Sequence, residues 1–247
     1  MPLKLISLNI EAHNHLDVIL PWLQQEQADV VCLQEVFQTD LSKFEQSLGM
    51  KGEFTPLLNI TKPNDYRLDP LGLWGLAMLT NLPHSEFQSE YYLKNGSGVS
   101  ELINGQPNSA DRAVLWTTVT KAEQDFTIAN THFTWSPAGN QIPLQETTYQ
   151  AMLEVLTKIP ELVLCGDFNS PRGKGSIYDK LANRYQDNIP TDISTTIDGK
   201  LHRAGHLQLV VDGLFTSPKY QVENVQIVGG LSDHMAIVAN LVKQQQN

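Results

Sequence analysis

Short apolar runs rich in Val, Ile and Leu recur from one end of the chain to the other, and most of them stop on a polar residue. LKLISLNI, DVVCLQE, GLAMLTN, AVLWTTVT, DFTIANTHF, ELVLCGDFN, QLVVDGLFTS, ENVQIVG and MAIVANLV each read as a β-strand bounded by Gly, Pro or polar residues. Helical spacing is confined to a few stretches between them. Leu16, Ile19, Leu20 and Leu23 repeat at helix spacing, with Pro21 implying a late start or a kink. TDLSKFEQSLG reads as a short helix stopped by Gly49, and SIYDKLANR as another. In LQETTYQAMLEVLTKI, Tyr149, Met152, Leu153 and Leu156 share one helix face. Many strands with few helices imply sheets packed on one another with helices outside, not a doubly wound sheet. Segments 59–70, 94–111 and 185–206 are long for connections, and long loops in compact domains tend to carry function. None separates two self-sufficient sets of strands, so 1–247 is read as a single domain.

Composition narrows the class. Of 247 residues, 41% are hydrophobic and 18% charged, which excludes a disordered chain. No apolar run approaches the roughly 18 residues of a membrane-spanning helix, and no stable membrane association is expected. MPLKLISLNI carries one lysine and no cleavage-site pattern, and reads as a strand, not a signal peptide. Cys32 and Cys165 are the only cysteines, which leaves no disulfide framework or zinc cluster, and a cytoplasmic location is expected. Both lie inside apolar runs and read as buried small hydrophobes. Seventeen basic against twenty-seven acidic residues give a net charge of −10, poorly suited to long non-specific attachment to a nucleic-acid backbone. PRGKGSIYDKLANR is locally basic, however, with Arg172, Lys174, Lys180 and Arg184 against Asp179. It reads either as a basic rim on an acidic body or as a solvated surface with no partner.

The polar residues that end the apolar runs form a set. LISLN ends at Asn9, VVCLQE at Glu35, TIANTH at His132, and LVLCGDFN at Asp167 and Asn169. VVDG contains Asp212, and LSDH places Asp233 and His234 before the last strand. A buried strand ending in a carboxylate, amide or imidazole presents that group at the edge of a sheet, where clefts form. Singly, each has a plainer reading: Asn9 as a turn residue, Glu35 as a loop carboxylate, GDFN as an Asx turn. Their joint occurrence points to one site.

In order, LISLNI, LQEVF, GLAML, NTHF, GDFNSP, VVDGLF and GLSDHMAIVANL resemble the endonuclease/exonuclease/phosphatase superfamily, the deoxyribonuclease I-like fold, from Leu5 to about Leu241. GDFN and SDH are the most specific of these. The resemblance implies an α/β (α+β) four-layer sandwich, two mixed β-sheets face to face with helices on the outer sides. It also implies a divalent-metal-dependent phosphodiesterase. Such chemistry needs an activated water, neutralisation of developing charge and help for the leaving oxygen. Mg²⁺, with Mn²⁺ as a substitute, takes oxygen ligands and needs only one or two protein groups. Glu35 resembles the principal metal ligand, Asn9 its amide neighbour, and Asp233 a further ligand. His234 resembles the histidine that activates water or holds phosphate, oriented by Asp212. Asp167 would handle a proton, the Asn169 amide would donate to a phosphoryl oxygen, and His132 resembles a second imidazole. Arg112 and Arg172 are the candidate substrate-binding cations beside Asn169.

His132 sets the chain apart from abasic-site endonucleases, which lack that histidine, and the cysteine content sets it apart from secreted deoxyribonucleases. A lipid-active relative would show an apolar finger; only Trp135 in WSP qualifies, and it equally suits stacking on a base. The expected substrate is therefore a nucleic acid, DNA first, cut by a monomer acting as a nuclease. The alternative is a small or lipid-linked phosphate ester, in the manner of sphingomyelinases or inositol phosphatases. A non-catalytic module would have lost some of the eight core positions, and all are present. Tyr66, Arg67, His202 and His206 lie in polar loops and read as rim or as solvated surface.

Overall fold

The computed structural model describes residues 1–66, 68, 72–159 and 161–244. In chain order the elements are β1 (Leu3–Asn9), α1 (Leu16–Glu26), β2 (Val30–Phe37), α2 (Leu41–Leu48), β3 (Lys51–Ile60), β4 (Gly72–Thr80), β5 (Gln88–Leu93) and β6 (Arg112–Lys121). Then follow β7 (Gln124–His132), α3 (Pro143–Leu156), β8 (Val163–Asp167), α4 (Ile177–Ala182), β9 (Gln186–Asp187), β10 (Asp212–Thr216), β11 (Tyr220–Val228) and β12 (Ala236–Lys243). They form two six-stranded sheets, ordered β11-β12-β1-β2-β4-β3 and β5-β6-β7-β8-β10-β9. Each sheet is mixed: a central parallel pair, β1/β2 or β7/β8, is flanked by antiparallel strands. The four-layer sandwich that the sequence resemblance implied is the fold observed.

Strand alternation builds the layers. On β1, Leu3 and Leu5 join the large cluster between the sheets, which continues under α3 and α4, while Ile6 and Leu8 join a second cluster under α1 and α2. On β2, Val30 and Cys32 point inward and Val31 and Leu33 outward. That parity then flips, with Val36 outward and Phe37 inward, because the β2/β4 register slips between Leu33 and Val36. The slip is a β-bulge with one extra residue. The cysteines are free and fully buried, as expected.

Three strands escaped the sequence reading: β3, β5 and the two-residue β9. All three are sheet edges, where one side faces solvent and the apolar run is diluted by polar residues. QLVVDGLFTS is strand only from Asp212 onward. Pro21 sits inside α1, which begins at Leu16 without a late start. On α3 the buried apolar face is Tyr149, Met152, Val155 and Leu156, with Leu153 half-buried at its margin. Among the described residues, no helix is long and apolar enough to cross a membrane.

One polar contact crosses the apolar interior. The Gln34 Nε2 of β2 donates to Asn130 Oδ1 of β7 at 2.7 Å, and both side chains are fully buried. Asn130 Nδ2 in turn donates to the carbonyls of Leu33 and Ala77, which face each other across the β2/β4 ladder at the edge of the bulge. An amide of one sheet thus satisfies backbone acceptors of the other. Asn130→Ala should lower the unfolding free energy by about 3 kcal/mol, since buried acceptors lose their donor. Urea denaturation measures this, and a change under about 0.5 kcal/mol would remove the amide from the account of the bulge.

Candidate active site

The strand register assembles the site. Asn9 lies opposite Gln34, the neighbour of Glu35, in the parallel β1/β2 pair. His132 lies opposite Asp167 in β7/β8, and Asp167 opposite Asp212 in β8/β10. Because β10 and β12 run antiparallel to the central strands, Asp212 at the start of β10 and His234 just before β12 reach the same end as the others. Sequence position alone placed these at strand ends; the topology makes it one end, and Glu35 proves to lie inside β2, at its bulge, with Val36 and Phe37 still paired beyond it.

The side chains meet across the two sheets. Asn9 Nδ2 donates to Glu35 Oε1 at 3.0 Å and to Asp167 Oδ2 at 3.2 Å. His132 Nε2 stands 3.5 Å from Asp167 Oδ2 and 3.8 Å from Glu35 Oε1. His234 Nε2 stands 3.7 Å from Asp167 Oδ2, while its Nδ1 meets Asp212 Oδ2 at 2.9 Å. The Asn169 backbone N–H donates to Asp167 Oδ1 at 2.8 Å, and its side-chain amide to the Phe133 carbonyl at 3.1 Å. GDFN is therefore an Asx turn and part of the cluster at once. Asn9 closes a turn as well, since its Oδ1 accepts the Glu11 N–H.

Local backbone departures aim two of these groups. Glu35 occupies the bulge at φ 63°, and Asn169 has φ 50°, both left-handed conformations that cost a residue with a Cβ. Gly166, at φ 141°, lets β8 lie against β7, where a Cβ would meet the Thr131 carbonyl at 1.9 Å. Gln145 of α3, fully buried, donates to the carbonyls of Thr134 and Asn169 and fixes the loops beside the cluster.

Burial and crowding set the charges. Burial, then the Asp233 charge, raises Glu35 to about 7 against the Asn9 hydrogen bond. Burial likewise raises Asp167 to about 6, with Asp212 adding repulsion and His234 opposing it. Burial also works against a charged His234, but Asp212 and Asp167 outweigh it and hold the imidazole well above its usual value. His132, beside Arg112, is driven well below it by burial and by that guanidinium. The two histidines are thus biased in opposite directions, His234 towards the cation and His132 towards the neutral ring.

This donor set suits a hard divalent cation. Glu35 and Asp167 are oxygen donors whose ionised forms repel their neighbours, and a cation among them relieves that cost. Among the described residues, potential ligand atoms of Asp167, Asp212 and His234 also gather within 4.8 Å of one another. Asp233 acts on Glu35 through its charge and is half-buried.

Other candidates fall elsewhere. Arg112 is buried at the same end, 2% exposed, with Nη1 donating to the His132 carbonyl at 3.3 Å. Arg172 donates to the carbonyls of Ile189, Pro190 and Ile193 and stands 3.5 Å from Asp187, so its guanidinium staples a loop. Lys180 pairs with Glu146, which leaves Lys174 and Arg184 as the exposed cations of that segment. Half-buried His202 lies within electrostatic reach of Asp233 and His234, and Arg203 sits over the Tyr66 ring at 5.9 Å. His206 is exposed, and Arg67 lies outside the described residues. Sequence reasoning passed over Gln34, Asn130 and Gln145. A signal existed for the first two: each is an amide one or two residues from a candidate side chain and follows directly on an apolar residue of its strand.

The raised Glu35 value has a consequence for stability. The folded chain holds a proton that the unfolded chain releases near 4.5, so this contribution is complete below about 4.5 and lost as pH rises through about 7. Glu35→Gln removes the loss. With 22% of the side chain still exposed, the metal-free variant should be more stable than the parent by about 2 kcal/mol at pH 8 and equal to it near pH 4.5. Denaturant titrations at the two pH values check this; equal stability at both would mean that Glu35 is solvated.

The sequence matches the Endonuclease/Exonuclease/phosphatase family over residues 6–234. No curated protein matches it. An endonuclease/exonuclease/phosphatase family protein of Bacteroides thetaiotaomicron shares the fold with a TM-score of 0.74 at 15% identity, over 99% of each chain. The catalytic domain of human Nocturnin, solved with a bound sulfate anion, gives 0.69 at 18% identity over 98% of this chain and 95% of that one. A mannosyl-6-phosphatase of Bacteroides thetaiotaomicron gives 0.68 at 15% identity over 97% and 99%. The matched span holds Asn9, Glu35, His132, Asp167, Asn169, Asp212 and His234, and the chain belongs to the endonuclease/exonuclease/phosphatase family, whose members are hydrolases acting on phosphate esters.

Proposed function

We propose that this chain is a divalent-metal-dependent phosphodiesterase acting on nucleic acid, DNA first. The observation that carries the reaction class is the junction of Asn9, Glu35, Asp167 and the Asp212–His234 pair across two sheets. Glu35, with Asn9 and Asp233 beside it, would hold Mg²⁺ or Mn²⁺, which supplies Lewis-acid polarisation of a phosphoryl oxygen and a more acidic water. His234, kept cationic by Asp212, donates from Nε2 to a phosphoryl oxygen. Asp167, raised to about 6, exchanges a proton near neutral pH. Neutral His132 adds a hydrogen bond without adding charge, and the second amide proton of Asn169 adds another. Arg112 acts from beneath, through the His132 backbone and through its charge.

Trp135 supports a nucleobase-bearing substrate. It is 36% exposed, two residues beyond the Phe133 carbonyl that Asn169 binds, and its backbone is clamped from both sides by the Asn108 amide. An exposed indole on a clamped backbone close in sequence to the site's residues can serve as a stacking platform. The second reading, a small or lipid-linked phosphate ester, is favoured by the internal use of Arg172 and Lys180 and by the net charge of −10.

A panel with Mg²⁺ and Mn²⁺ decides between them: single- and double-stranded DNA, RNA, sphingomyelin, inositol phosphates and bis(4-nitrophenyl) phosphate. EDTA and Glu35→Gln should each abolish turnover, and full activity in EDTA would end the metal reading. On DNA, Trp135→Ala should raise KM by roughly 5- to 160-fold, matching about 1–3 kcal/mol of stacking, and leave the small diester unaffected. Equal loss on both would locate the damage in the cleft. Asp212→Asn and His234→Ala should each reduce kcat by orders of magnitude, with the double variant hardly worse than the poorer single, because groups acting as a unit are non-additive. Multiplicative losses would separate the two residues.

A further inference from the structure

The Asp212 carboxylate and the His234 imidazole stand 2.9 Å apart, yet they belong to different sheets that share no ladder at this point. Asp212 opens β10 in one sheet, and His234 precedes β12 in the other. A third segment, in the connection from β9 to β10, touches the backbone on both sides. The Thr196 hydroxyl accepts the N–H groups of Val211 and Asp212 at 3.0 and 3.1 Å. The Thr196 carbonyl accepts the Met235 N–H at 2.7 Å, and the Asp198 N–H donates to the Asp233 carbonyl at 2.9 Å. Between them Ile197 pairs with His234 as an isolated antiparallel bridge. The Asp198 carboxylate then accepts the Gly230 N–H at 2.6 Å and holds the start of the His234 loop.

We propose that Thr196 and Asp198 are positioning residues that set the separation and orientation of the Asp212–His234 pair. Thr196 is fully buried and Asp198 6% exposed, and their contacts to the two sheets land on residues that carry or flank the pair. An open cleft of about 420 Å³, lined by Thr195, Ile197, Asp198, Lys200 and Met235 among others, lies along the segment. The cleft leaves that side of the segment without a close-packed neighbour, and the hydrogen bonds to both sheets contribute to holding its place. An imidazole that must be held to within about 0.5 Å depends on such support, and a misplacement of about 1 Å costs on the order of 100-fold in rate.

The inference rests on the hydrolase reading, and the test separates the two. Thr196→Val keeps the shape and removes the acceptor of two buried N–H groups; Thr196→Ser keeps the acceptor. With bis(4-nitrophenyl) phosphate and Mn²⁺, Thr196→Val should lower kcat by roughly 10- to 100-fold with KM changed far less, and Thr196→Ser should restore most of the loss. In a His234→Ala background, Thr196→Val should cost nothing further, because the imidazole it positions is gone. The Nδ1–H of His234, hydrogen-bonded to Asp212, should give a downfield proton NMR resonance in the parent that broadens or vanishes in Thr196→Val. Should that variant not fold, Asp198→Ala, which removes the acceptor of the Gly230 N–H, carries the same comparisons. An undiminished kcat, a loss that persists in the His234→Ala background, or an unchanged His234 resonance would overturn the proposal. If the parent turns over no diester, the hydrolase reading falls, and the resonance still decides whether Thr196 orders the pair.

Discussion

The side-chain amide of Asn9 touches carboxylates of both sheets, and the geometry of the cleft depends on that contact. Its Nδ2 donates to Glu35 on the neighbouring strand and to Asp167 on the facing sheet, joining two acids that repel one another. Most of the contact between the sheets is made by apolar side chains, which fix distance and exclude water but give little angular precision. Hydrogen bonds supply that precision: Gln34 to Asn130 beneath the cluster, Asn9 within it, and Asp212 to His234 at its edge. Each loses more if broken than it gains when made, because its partner would remain buried and unsatisfied.

The site is also where the backbone departs most from regular structure. A bulge turns Glu35 into the left-handed region, Asn169 adopts the same region two residues past Asp167, and Gly166 permits a close approach that other residues forbid. Backbone strain of this kind persists only when the surroundings over-determine it. Here Asn130 reaches across from the other sheet to the carbonyls beside the bulge, and Gln145 binds the loop that carries Asn169. The same logic governs charge. Four carboxylates at one end of a folded chain are a standing cost, offset in part by Arg112 and a cationic His234. A divalent cation would offset much of the remainder, which ties metal binding to the stability of this end of the molecule.

Charge outside the cluster bears on the substrate. The locally basic segment around Arg172 and Lys180 looks in sequence like a rim for a polyanion, yet both side chains are turned to internal partners. Two exposed cations in that segment, on a body of net charge −10, make a weak electrostatic track for a long backbone. Fold alone does not choose among the family's substrates.

Much of this molecule was legible in one dimension. Apolar runs of strand length, ended by Asn9, Glu35, His132 and Asp167, announced a sheet protein with its chemistry at strand ends, because a side-chain period of two and a polar stop are local properties of the chain. The ordered motifs identified the family and hence the sandwich. Edge strands β3, β5 and β9 escaped because solvent on one side removes the apolar signal. The rest was decided in three dimensions. Only the register and direction of the strands bring Asp212 and His234 to the end where Asn9 and Asp167 already lie. Only the fold reveals that Arg172 staples a loop, that Arg112 lies buried behind His132, and that Asn130 and Thr196, from other segments, bond to the backbone beside a bulge and beside the Asp212–His234 pair. A charge or an amide in a sequence carries no record of its partner, because hydrogen bonds and ion pairs between distant segments form only after hydrophobic packing has set the distances.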